Sequence, residues 1–194
     1  RYRWLDIRAF CQALLGSTPQ HTVNRIRYFT ARVRTQGTYS NGTEQRQDTY
    51  LRAIATLGID VHFGHYQYKP TYATAYPLAN PPRKVQILKA EEKGSDVNIA
   101  AFLLLDGFRK DYEQAIVVSN DSDLATPIRM VRDDLKLPIG VAFPCTNPNR
   151  VKSALLQTVG TFYKNVRAPM LQSSQFPANL TDSLGAFSCP ARWT

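Results

Sequence analysis

The sequence predicts an α/β fold three layers deep, α/β/α, in which helices cover both faces of a mostly parallel central sheet. Three observations carry that expectation. Ala115 to Val118 is a short, charge-free, β-branched run of the kind buried on both faces of a parallel sheet. It ends in the polar cluster Ser119-Asn120-Asp121-Ser122-Asp123, and ligands of open α/β sheets sit outside the carboxyl ends of such strands. Strand-like and helix-like segments alternate from Asn24 to Val166, as in successive βαβ units.

Taken in order, Leu5 to Leu15 repeats apolar residues at helical spacing and is closed by Gly16. Asn24 to Val33 has the mixed alternation of a strand packed on one side, and Thr35 to Gly42 is a polar loop. Thr43 to Leu57 places Tyr50, Leu51, Ile54 and Leu57 on one helical stripe. Asp60 to Tyr66 reads as a strand with His62 and His65 on opposite faces, a poor metal pair, so both are read as structural. Lys69 to Pro82 is expected to be the least regular stretch, with Val85 to Ala90 a strand after it. The helix opened by Asp96 is expected to bury Val97, Ala101, Leu104, Leu105 and Phe108. Beyond the polar cluster, Pro127 lies in the first turn of a helix reaching about Leu135. A strand from Ile139 to Phe143, a helix from Asn149 to Val159 and a last strand from Thr161 to Val166 follow. From Ala168 onward, Pro169, Pro177 and Pro190 suggest an extended tail, residues 168–194, on a single domain spanning 1–194.

With 194 residues, 43% of them hydrophobic and 20% charged, the chain can bury a core of ordinary size. Its most apolar stretch, Ile99 to Leu105, is far too short to span a bilayer. A formal net charge of +9 favours a polyanionic partner. The Lys and Arg residues are dispersed rather than gathered on one amphipathic helix, which favours nucleic acid over anionic lipid. Cys11, Cys145 and Cys189 are odd in number and widely spaced, which indicates neither a disulfide framework nor a zinc site and fits a reducing cytoplasm.

The residues that carry chemistry are Asp96, Asp121 and Asp123. If the helix opened by Asp96 packs back on the sheet, its first turn arrives at the edge where the Ala115 to Val118 strand ends. Two carboxylates about 4 Å apart repel by roughly 4 kcal/mol at an effective dielectric near 20, so a shared site needs a proton or a cation. Oxygen-only donors favour Mg²⁺ or Mn²⁺ over Zn²⁺. The competing reading makes Asp121 and Asp123 turn and helix-cap residues.

Glu92-Lys93-Gly94-Ser95-Asp96-Val97-Asn98, followed by Val118-Ser119-Asn120-Asp121-Ser122-Asp123-Leu124, resembles the paired motifs of the NYN family of PIN-like, metal-dependent ribonucleases, in particular bacterial members. Tyr2 to Asp6, Tyr28 to Arg32, Arg46 to Asp48, His62 to Gly64, Gln175 to Pro177 and Cys189 to Trp193 extend the likeness over nearly the whole chain. The resemblance implies a PIN-like, Rossmannoid sheet and an endoribonuclease acting on single-stranded or structured RNA. Asp96, Asp121 and Asp123 would hold Mg²⁺ or Mn²⁺, while Asn98, Ser119, Asn120 and Ser122 would orient those ligands. It also implies a further Asp, at the end of a strand that precedes the segment matching Tyr2. A non-catalytic RNA-binding or assembly module on the same fold is the alternative. A phosphohydrolase with a covalent Asp nucleophile is a weaker third, because that chemistry wants its Asp pair on the first strand.

Candidate strand-binding residues are Arg32 and Arg34 at a strand exit, Arg46 in a helix's first turns, and Lys93 beside Asp96. Tyr72 and Tyr76, followed by Arg83, Lys84 and Lys89, combine rings with cations, as a single-stranded nucleic-acid platform requires.

Overall fold

The computed structural model describes residues 2–16, 21–34, 42–144 and 151–193. Helix α1 (Ile7–Leu15) opens on Asp6, whose carboxylate accepts the Ala9 N–H at 2.9 Å, and is closed by Gly16 at φ 72°. Strand β1 (Arg27–Ala31) runs parallel to β2 (Asp60–Thr74), from Arg27 opposite Asp60 to Ala31 opposite Gly64. Helix α2 (Thr43–Ala55) makes the crossover between them. Past Gly64, β2 pairs antiparallel with β3 (Lys84–Lys93), which leads into α3 (Ser95–Phe108).

A second sheet is wholly parallel. Its order is β4 (Ala115–Val118), β5 (Ile139–Phe143) and β6 (Phe162–Asn165), connected through α4 (Ala125–Asp133) and α5 (Ala154–Val159). Every residue of β5 is buried, and its two faces enter different cores. Ile139, Val141 and Phe143 meet Val117, Ile128, Val131 and Leu156, with Ile99, Leu103 and Leu104 of α3 packed against them. Ala142 meets Phe10, Leu14 and Val166 on the other side. Helices α3, α4 and α5 therefore form one outer layer and α1 the other, the three-layer arrangement that the alternation in the sequence predicts. Complete burial of an Ile or Phe here is worth about 1.5–3 kcal/mol each.

Among the described residues no strand pair joins the two sheets: β1 ends one and β4 ends the other. Helix α3 lies across both, with Phe102 against Phe29 and His62 while Leu103 and Leu104 pack on the β4–β5 core.

Three expectations need correction. Val97 (71% exposed), Ala101, Leu105 (39%) and Phe108 (78%) of α3 are exposed, and Ile99, Phe102, Leu103 and Leu104 carry the packing. The segment is apolar nearly all round, so its pattern does not fix which stripe turns inward. The stretch from Lys69 to Pro82 is not irregular throughout: β2 continues to Thr74, and residues 65–74 pair rung by rung with Lys84–Lys93. The tail from Ala168 is not simply extended. It holds α6 (Ala168–Ser173), the hairpin β7 (Asn179–Asp182) and β8 (Gly185–Ser188), and a 3-10 turn, Ala191–Trp193. Pro169 sits in the first turn of α6, where proline is tolerated, and Gly185 supplies φ 107° at the hairpin turn. Trp4, buried beneath this tail, packs on Phe176, Phe187 and Trp193.

Candidate active site

The polar cluster follows β4 directly. The Ser119 N–H still bonds to the Ala142 carbonyl at 3.1 Å, so ladder pairing persists to the strand's last step. Ser119 Oγ then accepts the Asp121 N–H at 3.0 Å, and Asp121 Oδ1 accepts the Asp123 N–H at 3.0 Å. Asp121 thus caps the 3-10 turn Ser122–Leu124 that opens α4. Asn120 turns the other way: its Oδ1 accepts the Ser153 N–H at 2.9 Å and its Nδ2 donates to the Val151 carbonyl at 3.2 Å. It pins the cluster to the start of α5.

Asp96 reaches this edge by another route. β3 returns to the body at Lys93, opposite His65, and Gly94 at φ 92° turns the chain into α3, with Asp96 in its first turn. That turn is tight against β2. A Cβ on Gly64 would collide with the Lys93 carbonyl and crowd Ser95, so glycine permits the approach. The sequence reading gave Gly64 no site role, although a glycine inside a strand pattern is a signal of close backbone approach. Ser95 Oγ bonds Glu92 across the same turn.

The side chains of Asp96, Asp121 and Asp123 reach solvent. Partial burial nonetheless raises the Asp96 carboxyl above the usual carboxylate range, and the fields of Asp121, Asp123 and Glu92 push it the same way. Among the described residues no three His, Cys, Asp or Glu side chains come together to hold an ion. The arrangement is a shared negative field with oxygen donors only. That donor set suits Mg²⁺ or Mn²⁺, since Mg²⁺ keeps several waters and takes one or two carboxylates. Asn98 lies two residues on, half-buried, its N–H on the Gly94 carbonyl at 2.9 Å, and Ser122 is exposed.

The expected strand-binding residues divide. Arg32 is paired with Asp48 at 2.8 Å and covers the Phe63 ring, and the Arg34 carbonyl accepts from the Tyr68 hydroxyl. Arg46 donates to Thr43 Oγ1 at 2.9 Å. Lys89 and Lys93 both hold Glu91, at 2.5 Å and 2.8 Å, and these two ammonium groups lower the Glu91 carboxyl to about 2. Pairing of residues 65–74 with Lys84–Lys93 makes a two-stranded arm of roughly 30 Å that leaves the body beside Asp96. Its pleat sorts the side chains. Tyr66, Tyr68, Tyr72 and Lys84 share one face; Lys69, Lys89, Glu91 and Lys93 share the other. Tyr72 is 69% exposed, and Tyr76, in the turn that joins the two strands, is 94% exposed.

Arg27 grips the buried Asp106 in a bidentate pair at 2.6 and 2.8 Å and covers the Phe102 ring at 4.5 Å. Arg25 bonds Asp111 at 3.1 Å. This network locks the far end of α3 to β1.

The geometry defines a class, a three-layer α/β protein with an acidic site at the carboxyl edge of its parallel strands. The NYN domain model matches residues 2–165, and the chain belongs to that family of PIN-like nucleases. The chain is 30% identical over 171 residues to 6-hydroxy-3-succinoylpyridine 3-monooxygenase of Pseudomonas putida, a match covering 77% of this chain and 55% of that protein. It therefore spans about half the length of that relative. Among solved structures, a protein of unknown function from Vibrio parahaemolyticus shares the fold at TM-score 0.50 and 17% identity, over 84% of this chain and 80% of that one. No helix among the described residues is long and apolar enough to cross a membrane.

Proposed function

We propose that this chain is the nuclease unit of a metal-dependent endoribonuclease that cleaves RNA, preferentially single-stranded, at the carboxyl edge of β4. The observation that carries the reading is the coupling of Asp96 to Asp121 and Asp123: three acids drawn from two elements share one field, at a cost that a cation would offset. Asp96, Asp121 and Asp123 would hold Mg²⁺ or Mn²⁺, whose chemistry is to acidify water and neutralise charge at the scissile phosphate. The chain's own groups do the positioning. Ser119 and Asn120 fix the loop that aims Asp121 and Asp123, and Gly64 lets the Asp96 turn close onto β2. The arm rising beside Asp96 offers Tyr72, Tyr76, Arg83 and Lys84 to a strand entering the edge.

A second reading, RNA binding without cleavage, is favoured by the lack of a closed three-ligand group among the described residues. The relative's name adds a competing reaction, hydroxylation of a pyridine ring. Mn²⁺ titration followed by electron paramagnetic resonance tests the proposal. Binding that disappears in Asp96→Asn and Asp121→Asn supports it, and Mn²⁺ binding insensitive to both overturns it. Turnover of 6-hydroxy-3-succinoylpyridine, with RNA left uncut, would assign the chain to the relative's chemistry instead.

A further inference from the structure

The arm built from β3 and the outer part of β2 has one face that runs from its tip down to the acidic edge. Ten rungs, from His65 opposite Lys93 to Thr74 opposite Lys84, carry the tip about 30 Å from the turn that opens α3. On this face the pleat collects Tyr66, Tyr68, Pro70 and Tyr72 of β2 with Leu88 and Ala90 of β3, an apolar strip along most of the arm. Tyr72 and Leu88 are exposed, and beyond the last rung Tyr76 and Leu78 stand in solvent. At the base, Glu92 lies opposite Tyr66 on the same face, and its carboxylate accepts from Ser95 Oγ in the first turn of α3, beside Asp96. At the other end, Lys84 occupies the last rung, next to the exposed Arg83. The face thus grades from cations at the tip to acid at the base.

That gradient and the rings name an occupant. A two-stranded ribbon is marginal in water when nothing covers it, and an exposed strip of rings, proline and leucine favours a flat, partly apolar cover. Successive bases of a single strand supply one, stacking on rings whatever their sequence, while cations hold the phosphates. A duplex keeps those base faces in its own stack. Toward the base the sign of the charge reverses, and there the strand reaches the edge to which the nuclease reading assigns a metal.

We propose that this face is a track for single-stranded RNA that sets a minimum distance between one end of the strand and the cut. It rests on the nuclease reading, which puts the cut beside Asp96. At about 3.4 Å per nucleotide of a stacked strand, 30 Å of arm holds roughly nine nucleotides. One arm takes the flank on one side of the cut, so the uncut zone lies at one end of the RNA and not at both.

The experiment maps the cuts that the full-length protein makes, with Mn²⁺, in a long unstructured RNA labelled at either end. Wild type is compared with Tyr72→Ala/Tyr76→Ala and with a short arm lacking Thr71–Thr74 and Lys84–Ile87, four rungs paired with each other. Wild type is expected to leave roughly nine nucleotides uncut at one end and the short arm roughly five, because four rungs remove about 14 Å. The tyrosine pair is expected to cut nearer that end than wild type does. Circular dichroism checks folding, and if the short arm does not fold, the tyrosine pair decides. Cuts reaching both ends in wild type, or a boundary left in place by a folded variant, overturn the track and leave the nuclease reading standing. If wild type cuts no RNA, the nuclease reading falls, and fluorescence anisotropy with single strands of increasing length decides the track. Affinity that climbs up to roughly nine nucleotides in wild type, and levels off earlier in the tyrosine pair, supports it. Affinity without that length dependence, or no binding, overturns it.

Discussion

Asp121 has two roles that a substitution series separates. Its carboxylate accepts the Asp123 N–H and also adds to the field on Asp96. Asparagine caps as well as aspartate, so Asp121→Asn is expected to keep the fold and, with one like charge removed, to melt at or slightly above the wild-type temperature while losing cleavage. Asp121→Ala loses the cap as well and is expected to cost about 1 kcal/mol in a urea titration. A cap alone would give the opposite ranking in activity, with Asp121→Asn fully active. His62 offers a test on pH. It lies between Phe29 and Phe102, and its Nε2 is 2.9 Å from Arg27 Nη1, which can only donate, so the imidazole is held neutral. Burial and then the Arg27 charge lower its pKa below the ordinary 6.5. The folded state thus binds fewer protons than the unfolded one, and the stability it contributes is lost as pH falls from 6.5 through the lowered value. His62→Gln is expected to flatten the pH dependence of the urea midpoint in that window; an unaltered profile would contradict the assignment. That Asp121 caps a helical turn at a strand's end was legible in the sequence, because caps and strand ends are local patterns. The Arg27–Asp106 pair, 79 residues apart, was not, since no spacing encodes it.

At the scale of elements, the arm is the feature that sequence periodicity obscured. Tyrosine, threonine and lysine alternate in it without a buried face, and Pro70 and Pro77 read as loop punctuation, so the strands expected at Asp60 to Tyr66 and Val85 to Ala90 fall short of β2 and β3. Once the register is known, its two faces have separate expected roles. Lys89 and Lys93 share Glu91 on one face, while Lys84 lies beside Tyr72 on the other and Arg83 stands at the tip. Arg83→Ala/Lys84→Ala is expected to flatten the salt slope of RNA binding by roughly 1.4, whereas Tyr72→Ala weakens binding with the slope unchanged, because stacking releases few ions. Fluorescence anisotropy reads both. A slope unmoved by the double variant would take the arm out of the binding surface. Helix α3 teaches a related point about phase. Seven apolar residues in a row, Ile99 to Leu105, announce burial but not direction, and the helix turned Phe102 inward to Phe29 and His62 while leaving Phe108 outside.

At the scale of the molecule, strand order and charge act together. β1 ends at Ala31, opposite Gly64 beside the turn that opens α3, β4 runs directly into the loop of Asp121 and Asp123, and the arm belongs to a chain of net charge +9. On the proposed reading, a long-range positive potential would speed the approach of a polyanion and the acidic edge would take a cation before a phosphate settles there, so that binding and chemistry would fall to different groups. The layered architecture was legible because it follows from alternating patterns along the chain. The division of the described strands into separate sheets was not, because pairing partners are set by tertiary packing. The account turns on that acidic edge. The most direct test is cleavage of an end-labelled single-stranded RNA by the full-length protein with Mn²⁺, with Mg²⁺ and with EDTA, beside Asp96→Asn. Internal cuts that need the metal and fall at least 100-fold in Asp96→Asn are expected, a loss of about 2.7 kcal/mol in transition-state stabilisation. Cleavage of equal rate in EDTA, or in Asp96→Asn, would contradict it.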